Sequence, residues 1–305
     1  MPDVLLDVFF RAANAFSSVL HDTNQLPPSP EVLYHYTTSS GLKGIIQSGE
    51  IWANCFGYMN DSAELLLGLE YTRAAVDYYE SQLNLTGKPN RIQTDLVSLF
   101  RQGLDRRGRF DVFGCCFADD GDRLSQWRGY AVQGHGYAIG FRFERPDPQL
   151  TVKTILAQVI YDKEAQRLAA ATMVNNVLTE VPQLVSEAEY DNSRDYVKTL
   201  MQLTIDLTFP QLKHKGFEEE VESRLIVSGE DVPEIGRPDD FLERNGILNP
   251  YIRLRPKDGQ KLPIVKIVVG PCLDFERAEH SIRQLLEKYS YTGVDVERSK
   301  VPFLP

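Results

Sequence analysis

The sequence lacks the motifs that mark several common classes of enzyme. No Gly-x-Gly-x-x-Gly segment joins a strand pattern to a helix, and no Walker loop is present, which argues against two widespread nucleotide-binding folds. His-Glu-x-x-His and paired Cys-x-x-Cys motifs are absent as well, so we expect no metal site. Ser125 does not stand in the Gly-x-Ser-x-Gly turn of a hydrolase. No apolar run approaches the ~20 residues that a membrane helix needs, and we expect no membrane partner.

Cysteine and positive charge are also scarce. The chain has four cysteines, and none of their spacings is typical of metal ligands. Cys115 and Cys116 are neighbours in an apolar, strand-like run, where adjacent side chains face opposite ways, so neither a shared metal nor an easy disulfide follows. These features predict reduced thiols in the core of a cytoplasmic protein. The net charge of −10 argues against a protein that coats nucleic acid through charge alone.

The remaining pattern is that of a globular protein with a full core, because 42% of the 305 residues are hydrophobic and 25% are charged. Residues 1–30 are predicted to form an amphipathic helix and a proline-rich, extended lead-in rather than a signal peptide. Residues 31–305 are predicted to form a single domain that opens with strand, helix and strand. A nearly continuous helical pattern over about 163–212 indicates a helical insertion in that domain.

Three separated polar motifs stand within otherwise apolar, strand-like runs. They are Tyr-His-Tyr-Thr at residues 34–37, Ser-Gln-Trp-Arg-Gly-Tyr at residues 125–130, and Glu-Glu-Glu-Val-Glu-Ser-Arg at residues 218–224. Folds distribute such residues in this way mainly when they build a polar pocket from distant parts of the chain. The motifs therefore predict a site for a small, charged ligand that contains an aromatic group.

The third motif carries the sharpest signal. Residues i, i+2 and i+4 of a strand share one face, which predicts that Glu220, Glu222 and Arg224 lie together. Two carboxylates at this spacing raise each other's pKa unless a cation intervenes, and Arg224 can supply that cation. The alternative interpretation is a solvated, Glu-rich surface, which suits Glu218 and Glu219 better than Glu222.

The first two motifs each allow two interpretations. A lone strand histidine such as His35 is more often structural than functional, although the neighbouring tyrosine and threonine hydroxyls favour function. The second motif offers a hydroxyl, two flat rings and a fixed cation, which would stack a heteroaromatic ring and neutralise a phosphate. Alternatively, its aromatic residue is a wedge that closes a helix onto the sheet. The residues concerned are Ser125, Trp127, Arg128 and Tyr130.

A wider set of segments accompanies these motifs, at residues 33–37, 41–53, 58–64, 124–130, 136–141, 215–225 and 265–271. In combination they resemble a widespread microbial family labelled as a domain of unknown function (family twenty-nine seventy-one). The resemblance covers roughly residues 33–303.

That family in turn resembles the ADP-ribosyltransferases. This resemblance implies an α+β fold in which a small, split central β-sheet is flanked by helices and carries a helical insertion. It also implies NAD as a substrate, with no metal. His35 would match the histidine that holds the ribose and carboxamide of NAD, with Tyr36 and Thr37 beside it. Ser125 and Tyr130 would line the nicotinamide.

The same resemblance assigns roles to the acidic motif. Glu220 and Glu222 resemble a Glu-x-Glu pair, in which the second glutamate bonds the ribose 2'-hydroxyl and the first positions or deprotonates the acceptor. Arg128 or Arg224 could hold a diphosphate oxygen. The Trp127-Arg128 pair is not a usual feature of the transferases.

The expected function is therefore NAD-dependent ADP-ribosyl transfer to a macromolecule, in a toxin, effector or anti-phage defence factor. Glu222 would be the catalytic carboxylate, with Glu220 and His35 as the other catalytic residues. The acceptor, whether protein, RNA or DNA, is not encoded in a readable motif, and a regulator or antitoxin is a further conceivable partner. Two alternatives stay open. One is a catalytically inactive module that senses a nucleotide or nucleic acid, and the other is an NAD glycohydrolase or RNA 2'-phosphotransferase on the same scaffold.

Overall fold

The computed structural model describes residues 2–22, 31–59, 63–87, 89–105, 112–131, 134–144, 148–227, 238–244 and 246–303. The helices of this part are α1 (Pro2–Asp22), α2 (Ser39–Ser48), α3 (Ala63–Thr86), α4 (Arg91–Leu104), α5 (Leu124–Tyr130), α6 (Lys163–Leu184), α7 (Glu187–Thr208) and α8 (Phe275–Lys288). The strands are β1 (Leu33–Thr37), β2 (Ile51–Cys55), β3 (Phe113–Ala118), β4 (Tyr137–Phe141), β5 (Thr154–Gln158), β6 (Glu222–Val227), β7 (Asp240–Arg244), β8 (Ile247–Leu254), β9 (Ile264–Val269) and β10 (Asp295–Arg298).

All ten strands belong to one mixed sheet with helices on both faces. Its main path runs β10-β9-β4-β1-β3-β2-β8-β7, and β6 pairs with both β3 and β5. The β9–β10 pair is parallel, whereas the neighbours along the rest of the path are antiparallel. The fold is thus α+β with a central mixed sheet flanked by helices.

The sheet branches at β3, and this branch creates the space for a site. On one side of β3, residues 114–118 pair with β6. On the other side β1 pairs only at one end, through Tyr34 and Ala118, and β2 pairs only at the other end, through Phe113 and Gly114. The strands β1 and β2 therefore diverge along the same edge of β3 and leave a gap opposite residues 115–117.

Two hydrophobic cores cover the two faces of the sheet. One core joins the sheet to α1, α3, α4, α6 and α7, and it buries Leu5 and Phe9 of α1 against the helical layer. The other core packs α2 and α8 on the opposite face, through Ile46 and Ile282 among others. Burial of one such side chain contributes about 1.5–3 kcal/mol, so both layers are integral to the fold. None of the described helices has the length and apolarity to cross a bilayer.

The element pattern follows the sequence in most places and departs from it in two. The segment predicted as a helical insertion contains α6 and α7. Strand β6, however, begins at Glu222 and not at Glu220, because Val221 adopts a left-handed conformation with φ of 41° that interrupts extended backbone. The β7–β8 hairpin was not predicted at all. The predicted proline-rich lead-in falls on residues 23–30, outside the described part of the chain.

Candidate functional site

A cavity of about 420 Å³ opens where β1 and β2 diverge. Its walls come from β1, β2, β3, α5, β6, the 3₁₀ segment Lys215–Glu220 and the β7–β8 hairpin. The cavity therefore collects side chains from the first and third predicted motifs and from part of the second.

Sheet register decides which side chains share a face of this cavity. Glu222 lies opposite Ala118 on β3, and Arg224 lies opposite Cys116. Ala118 is in turn opposite Tyr34 on β1, so residues two apart along each of these strands face the same way. His35 is on the other face by this alternation, and it reaches the cavity through the gap between the strands.

The acidic motif forms a buried cluster of four charged side chains. Arg224 donates from Nε to Glu222 Oε1 at 2.8 Å and from Nη2 to Glu222 Oε2 at 3.1 Å. Lys213 Nζ lies 2.8 Å from Glu222 Oε2 and 2.8 Å from Glu220 Oε2. The predicted grouping of Glu220, Glu222 and Arg224 is present, but Glu220 joins it from the 3₁₀ segment, and Lys213 holds the two carboxylates together.

The cluster keeps Glu222 ionised. Burial by itself would raise the pKa of Glu222, but Arg224 and Lys213 lower it to about 2. The Cys116 thiol also lowers the pKa of Glu222, and burial raises the pKa of Cys116 well above its ordinary value. A carboxylate has about four lone-pair positions, and Glu222 uses three of them on its two cations. Its acceptor capacity is therefore nearly saturated.

Further contacts fix this cluster in place. Arg224 Nη1 donates to the carbonyl of Pro210 at 2.6 Å, and its guanidinium carbon lies 5.1 Å from the centre of the Phe56 ring. The backbone N–H of Glu222 donates to the Tyr161 hydroxyl at 2.9 Å. Lys213 Nζ lies 5.0 Å from the centre of the Phe217 ring. The cluster is thus bonded on all sides, as a buried ion pair must be to offset its desolvation.

His35 sits in the gap between β1 and β2. Its Nδ1 is 3.0 Å from the carbonyl oxygen of Cys116, and its ring meets Phe117 edge to face at a centroid distance of 5.9 Å. Burial lowers the pKa of His35, so the imidazole is neutral at pH 7. The contact with a backbone carbonyl assigns the proton to Nδ1, which makes this nitrogen the donor.

Helix α5 presents one of its faces to the cavity. Gln126 and Tyr130 are four residues apart, so they lie on the same side of the helix, and both line the cavity. Burial, followed by the negative charge of Glu220, raises the pKa of Tyr130 to about 12, so its hydroxyl is protonated at neutral pH. Tyr36 also lines the cavity, and its hydroxyl donates to the Asp120 carbonyl at 2.8 Å.

The structure places four predicted site residues outside the cavity, namely Thr37, Ser125, Trp127 and Arg128. Thr37 is the last residue of β1, and Ser125 is the second residue of α5 and does not line the cavity. Arg128 is exposed, with its guanidinium carbon 5.5 Å from the centre of the Phe303 ring.

Trp127 shows most clearly why the second motif was ambiguous. Its side chain is 0% exposed and packs edge to face on Tyr36 at a centroid distance of 4.7 Å. Its Nε1 donates to Asp122 Oδ1 at 2.8 Å. Asp122 also accepts hydrogen bonds from the Ser299 hydroxyl and the Lys300 backbone N–H, so it ties the chain after β10 to α5. Trp127 is the wedge that closes α5 onto the sheet and has no surface free for a ligand.

The β7–β8 hairpin supplies an end of the cavity that the sequence analysis missed. Asn54 on β2 and Leu242, Arg244 and Asn249 of the hairpin line this end. Asn54 pairs with Tyr251 and Leu242 pairs with Asn249, so these residues lie on one face of the sheet. The available signal was Asn-Gly at residues 245–246, the strongest short sequence pattern for a two-residue hairpin turn.

No metal centre emerges from the described residues, where no group of three or more His, Cys, Asp or Glu side chains could hold an ion. Cys55, Cys115, Cys116 and Cys272 form no disulfide.

A comparison with family models now adds to this geometry. Residues 126–225 match the family described as a protein of unknown function (DUF2971). The match confirms the sequence resemblance over this segment, which carries Gln126, Tyr130, Lys213 and the Glu222–Arg224 pair. His35 and the β7–β8 hairpin lie outside the DUF2971 match. No curated protein and no solved structure gave a significant match.

Proposed function

We propose that the cavity binds NAD and that the protein transfers ADP-ribose to a macromolecule. The observation that carries this proposal is the meeting of His35, Tyr130, Glu220 and Glu222 around one cavity, although β1 and β6 are far apart in the sequence. The resemblance to the ADP-ribosyltransferases implies the same combination of a strand histidine, an aromatic segment and a Glu-x-Glu pair.

The composition of the cavity suits a ligand of this kind. Ligand sites commonly measure about 300–1,000 Å³ and combine apolar walls with a few polar groups that fix orientation. Tyr58, Tyr130 and Phe217 supply aromatic surface here, and the neutral His35 supplies a ring nitrogen. Such walls would accept the nicotinamide and ribose rings.

The chemistry requires a negative group near the ribose. Departure of nicotinamide breaks the bond from the ribose carbon to the ring nitrogen and leaves an oxocarbenium-like sugar, which a carboxylate stabilises electrostatically. Glu222 remains ionised, but three hydrogen bonds from Arg224 and Lys213 occupy most of its acceptor positions. Glu220 shares only one oxygen, Oε2, with Lys213, and its other oxygen bonds no group among the described residues. We therefore assign the ligand-facing role to Glu220 and a supporting role to Glu222.

A second candidate function follows because the charges of the acidic cluster already satisfy one another. Because both cations of the cluster neutralise both acids, a module that binds a nucleotide without cleaving it is compatible with this site. An RNA 2'-phosphotransferase is less compatible, since it needs several free cations around the 2'-phosphate, and Lys213 and Arg224 are already paired.

The deciding experiment is a titration of the purified protein with NAD that follows both the heat of binding and the release of nicotinamide. Glu220→Gln and Glu222→Gln are measured alongside, with Glu276→Gln on the exposed side of α8 as the matched control. Transferase chemistry predicts release that falls at least about 100-fold in Glu220→Gln and is unchanged in Glu276→Gln. Free ADP-ribose formed without an acceptor would identify a glycohydrolase instead.

Two results would overturn the assignment. Saturable binding of NAD without release, with every macromolecular acceptor supplied, would favour the binding module. Absence of both binding and release would remove NAD as the ligand. Glu222→Gln leaves two buried cations short of an acid, so its folding is checked by thermal unfolding before its activity is interpreted.

A further inference from the structure

The cations that line the cavity are not equivalent. Among the described residues they are Lys213, Arg224 and Arg244. Lys213 is bonded to Glu220 and Glu222, and Arg224 is bonded to Glu222 and Pro210. Arg244, at the end of β7, forms no ion pair and no side-chain hydrogen bond with any described residue. It is the cation of this set whose charge is available to a ligand.

A buried amide accompanies this free cation. Asn249 lines the cavity and is only 8% exposed, yet its side chain forms no hydrogen bond within the described part of the chain. Asn249 is not among the described side chains whose polar atoms are enclosed without a partner, so its amide is open to the cavity and available to a ligand. Asn249 shares a face of the sheet with Arg244, because Arg244 pairs with Ile247, two residues from Asn249. Asn54 joins them from the neighbouring strand β2.

We propose that Arg244, Asn249 and Asn54 form a phosphate subsite at the hairpin end of the cavity. A guanidinium presents a planar fork of N–H donors that matches two phosphate oxygens, and the two amides add neutral N–H donors. The proposal rests on the proposed function to the extent that it assigns the diphosphate of NAD to this end. It replaces the two arginines that the sequence suggested for this role, since Arg128 lies outside the cavity and Arg224 is fully bonded.

The distance between the two ends agrees with a phosphate subsite that is separate from the acidic cluster. Strands β8 and β6 are three steps apart across β2 and β3. Neighbouring strands lie ~4.8 Å apart, so about 14 Å separates the hairpin end from the acidic cluster. Glu220 and Glu222 are neutralised by Lys213 and Arg224, so a phosphate at Arg244 meets little net negative charge from the cluster. A ligand that reaches both ends must be extended.

The test uses ADP and inorganic pyrophosphate as probes, because both carry the diphosphate and neither carries nicotinamide. The full chain is titrated with each probe at two salt concentrations. We expect saturable binding that weakens as salt increases, and a loss of affinity of roughly 10- to 100-fold in Arg244→Gln. Arg277→Gln, which removes an exposed arginine from α8, is the control and should bind like the wild type.

A second variant keeps the test independent of Arg244. Asn249→Asp is nearly isosteric and places a negative charge where the phosphate would lie, so it should weaken both probes at least as strongly as Arg244→Gln. Thermal unfolding confirms that each variant is folded. Wild-type affinity in both variants, or a loss of affinity in Arg128→Gln in their place, would overturn the subsite, and so would failure of the wild type to bind either probe.

The outcomes also separate this subsite from the proposed reaction. Binding of ADP that depends on Arg244, in a protein that releases no nicotinamide from NAD, would support the subsite and reject the transferase. Release of nicotinamide with unchanged affinity for ADP in Arg244→Gln would support the transferase and reject the subsite.

Discussion

At the β6 end of the cavity, Glu222 accepts hydrogen bonds from Arg224 and Lys213, whereas at the hairpin end Arg244 has no acidic partner among the described residues. Both ends line the same cavity. The β6 end carries the negative charge that an oxocarbenium-like ribose would need, and the hairpin end carries the positive charge that a phosphate would need. The difference lies in saturation. Charges that satisfy one another hold the fold together, and charges left unsatisfied in a cavity are available to a ligand.

The largest expected effect is a loss of stability caused by a substitution in the charge cluster at the β6 end. In Arg224→Met, Glu222 loses its bidentate partner while it stays buried, and the loss of one partner of a buried pair costs about 3–5 kcal/mol. We expect a decrease of this size in the free energy of unfolding measured with urea. The double variant Glu222→Gln, Arg224→Met removes the uncompensated charge and should recover most of the loss. If the single and double variants are equally stable, the loss of stability in Arg224→Met does not come from the unpaired charge of Glu222.

Low pH should also weaken the charge cluster at the β6 end. The folded pKa of Glu222, about 2, lies below its ordinary value of 4.5, so the unfolded chain binds the proton more readily. The resulting stabilisation is complete above pH ~4.5 and is lost as the pH falls towards ~2. One pKa unit corresponds to about 1.4 kcal/mol, so by pH 3 the loss from this group is about 2 kcal/mol.

The measurement compares unfolding free energies at pH 6 and pH 3. The wild type should lose about 2 kcal/mol more over this interval than the double variant Glu222→Gln, Arg224→Met, which has no carboxylate at position 222. Equal losses of unfolding free energy in the two proteins would mean that other acidic residues dominate the pH dependence of stability.

A smaller effect is expected at Trp127, which packs α5 onto the sheet outside the cavity. Trp127→Phe keeps the buried ring but deletes the Nε1 donor, so Asp122 loses one hydrogen bond. We expect about 1 kcal/mol of destabilisation, and an NAD affinity within about twofold of the wild type. A large loss of affinity with intact stability would return Trp127 to the role of a surface that stacks the ligand.

The smallest expected change in stability is at the open end. Arg244→Gln removes an exposed charge that pairs with no described residue, so its unfolding free energy should stay within about 0.5 kcal/mol of the wild type. Its effect should fall on anion binding instead. A destabilisation similar to that of Arg224→Met would show that Arg244 has a structural partner and would erase the contrast.

The parts of the site that sequence could predict are those set by local periodicity. The alternation along β6 brought Glu222 and Arg224 together, because neighbours two apart on a strand must share a face. Glu220 reached the predicted neighbourhood through a different backbone path, since the left-handed Val221 ends the strand pattern. Local periodicity thus identified Glu220 and Glu222, but it did not identify the backbone conformation that brings Glu220 to the cluster.

The parts that sequence could not predict depend on long-range packing. Lys213 reaches the acids because the chain at Leu212 forms a bridge to Ile160, and nothing near residue 213 signals that contact. Whether Trp127 faces a ligand or the core depends on Asp122 and Tyr36, which no spacing rule connects to it. The hairpin is different, because the Asn-Gly signal at residues 245–246 was present in the sequence, whereas the position of the hairpin beside the cavity was not.

The bonds that Asp122 makes to Ser299 and Lys300 have a practical consequence for anyone who handles this protein. The segment after β10 braces the helix that carries Gln126 and Tyr130, so a truncation before residue 299 would leave Asp122 with two fewer donors and loosen one wall of the cavity. An affinity tag or fluorescent fusion joined there would strain the same brace.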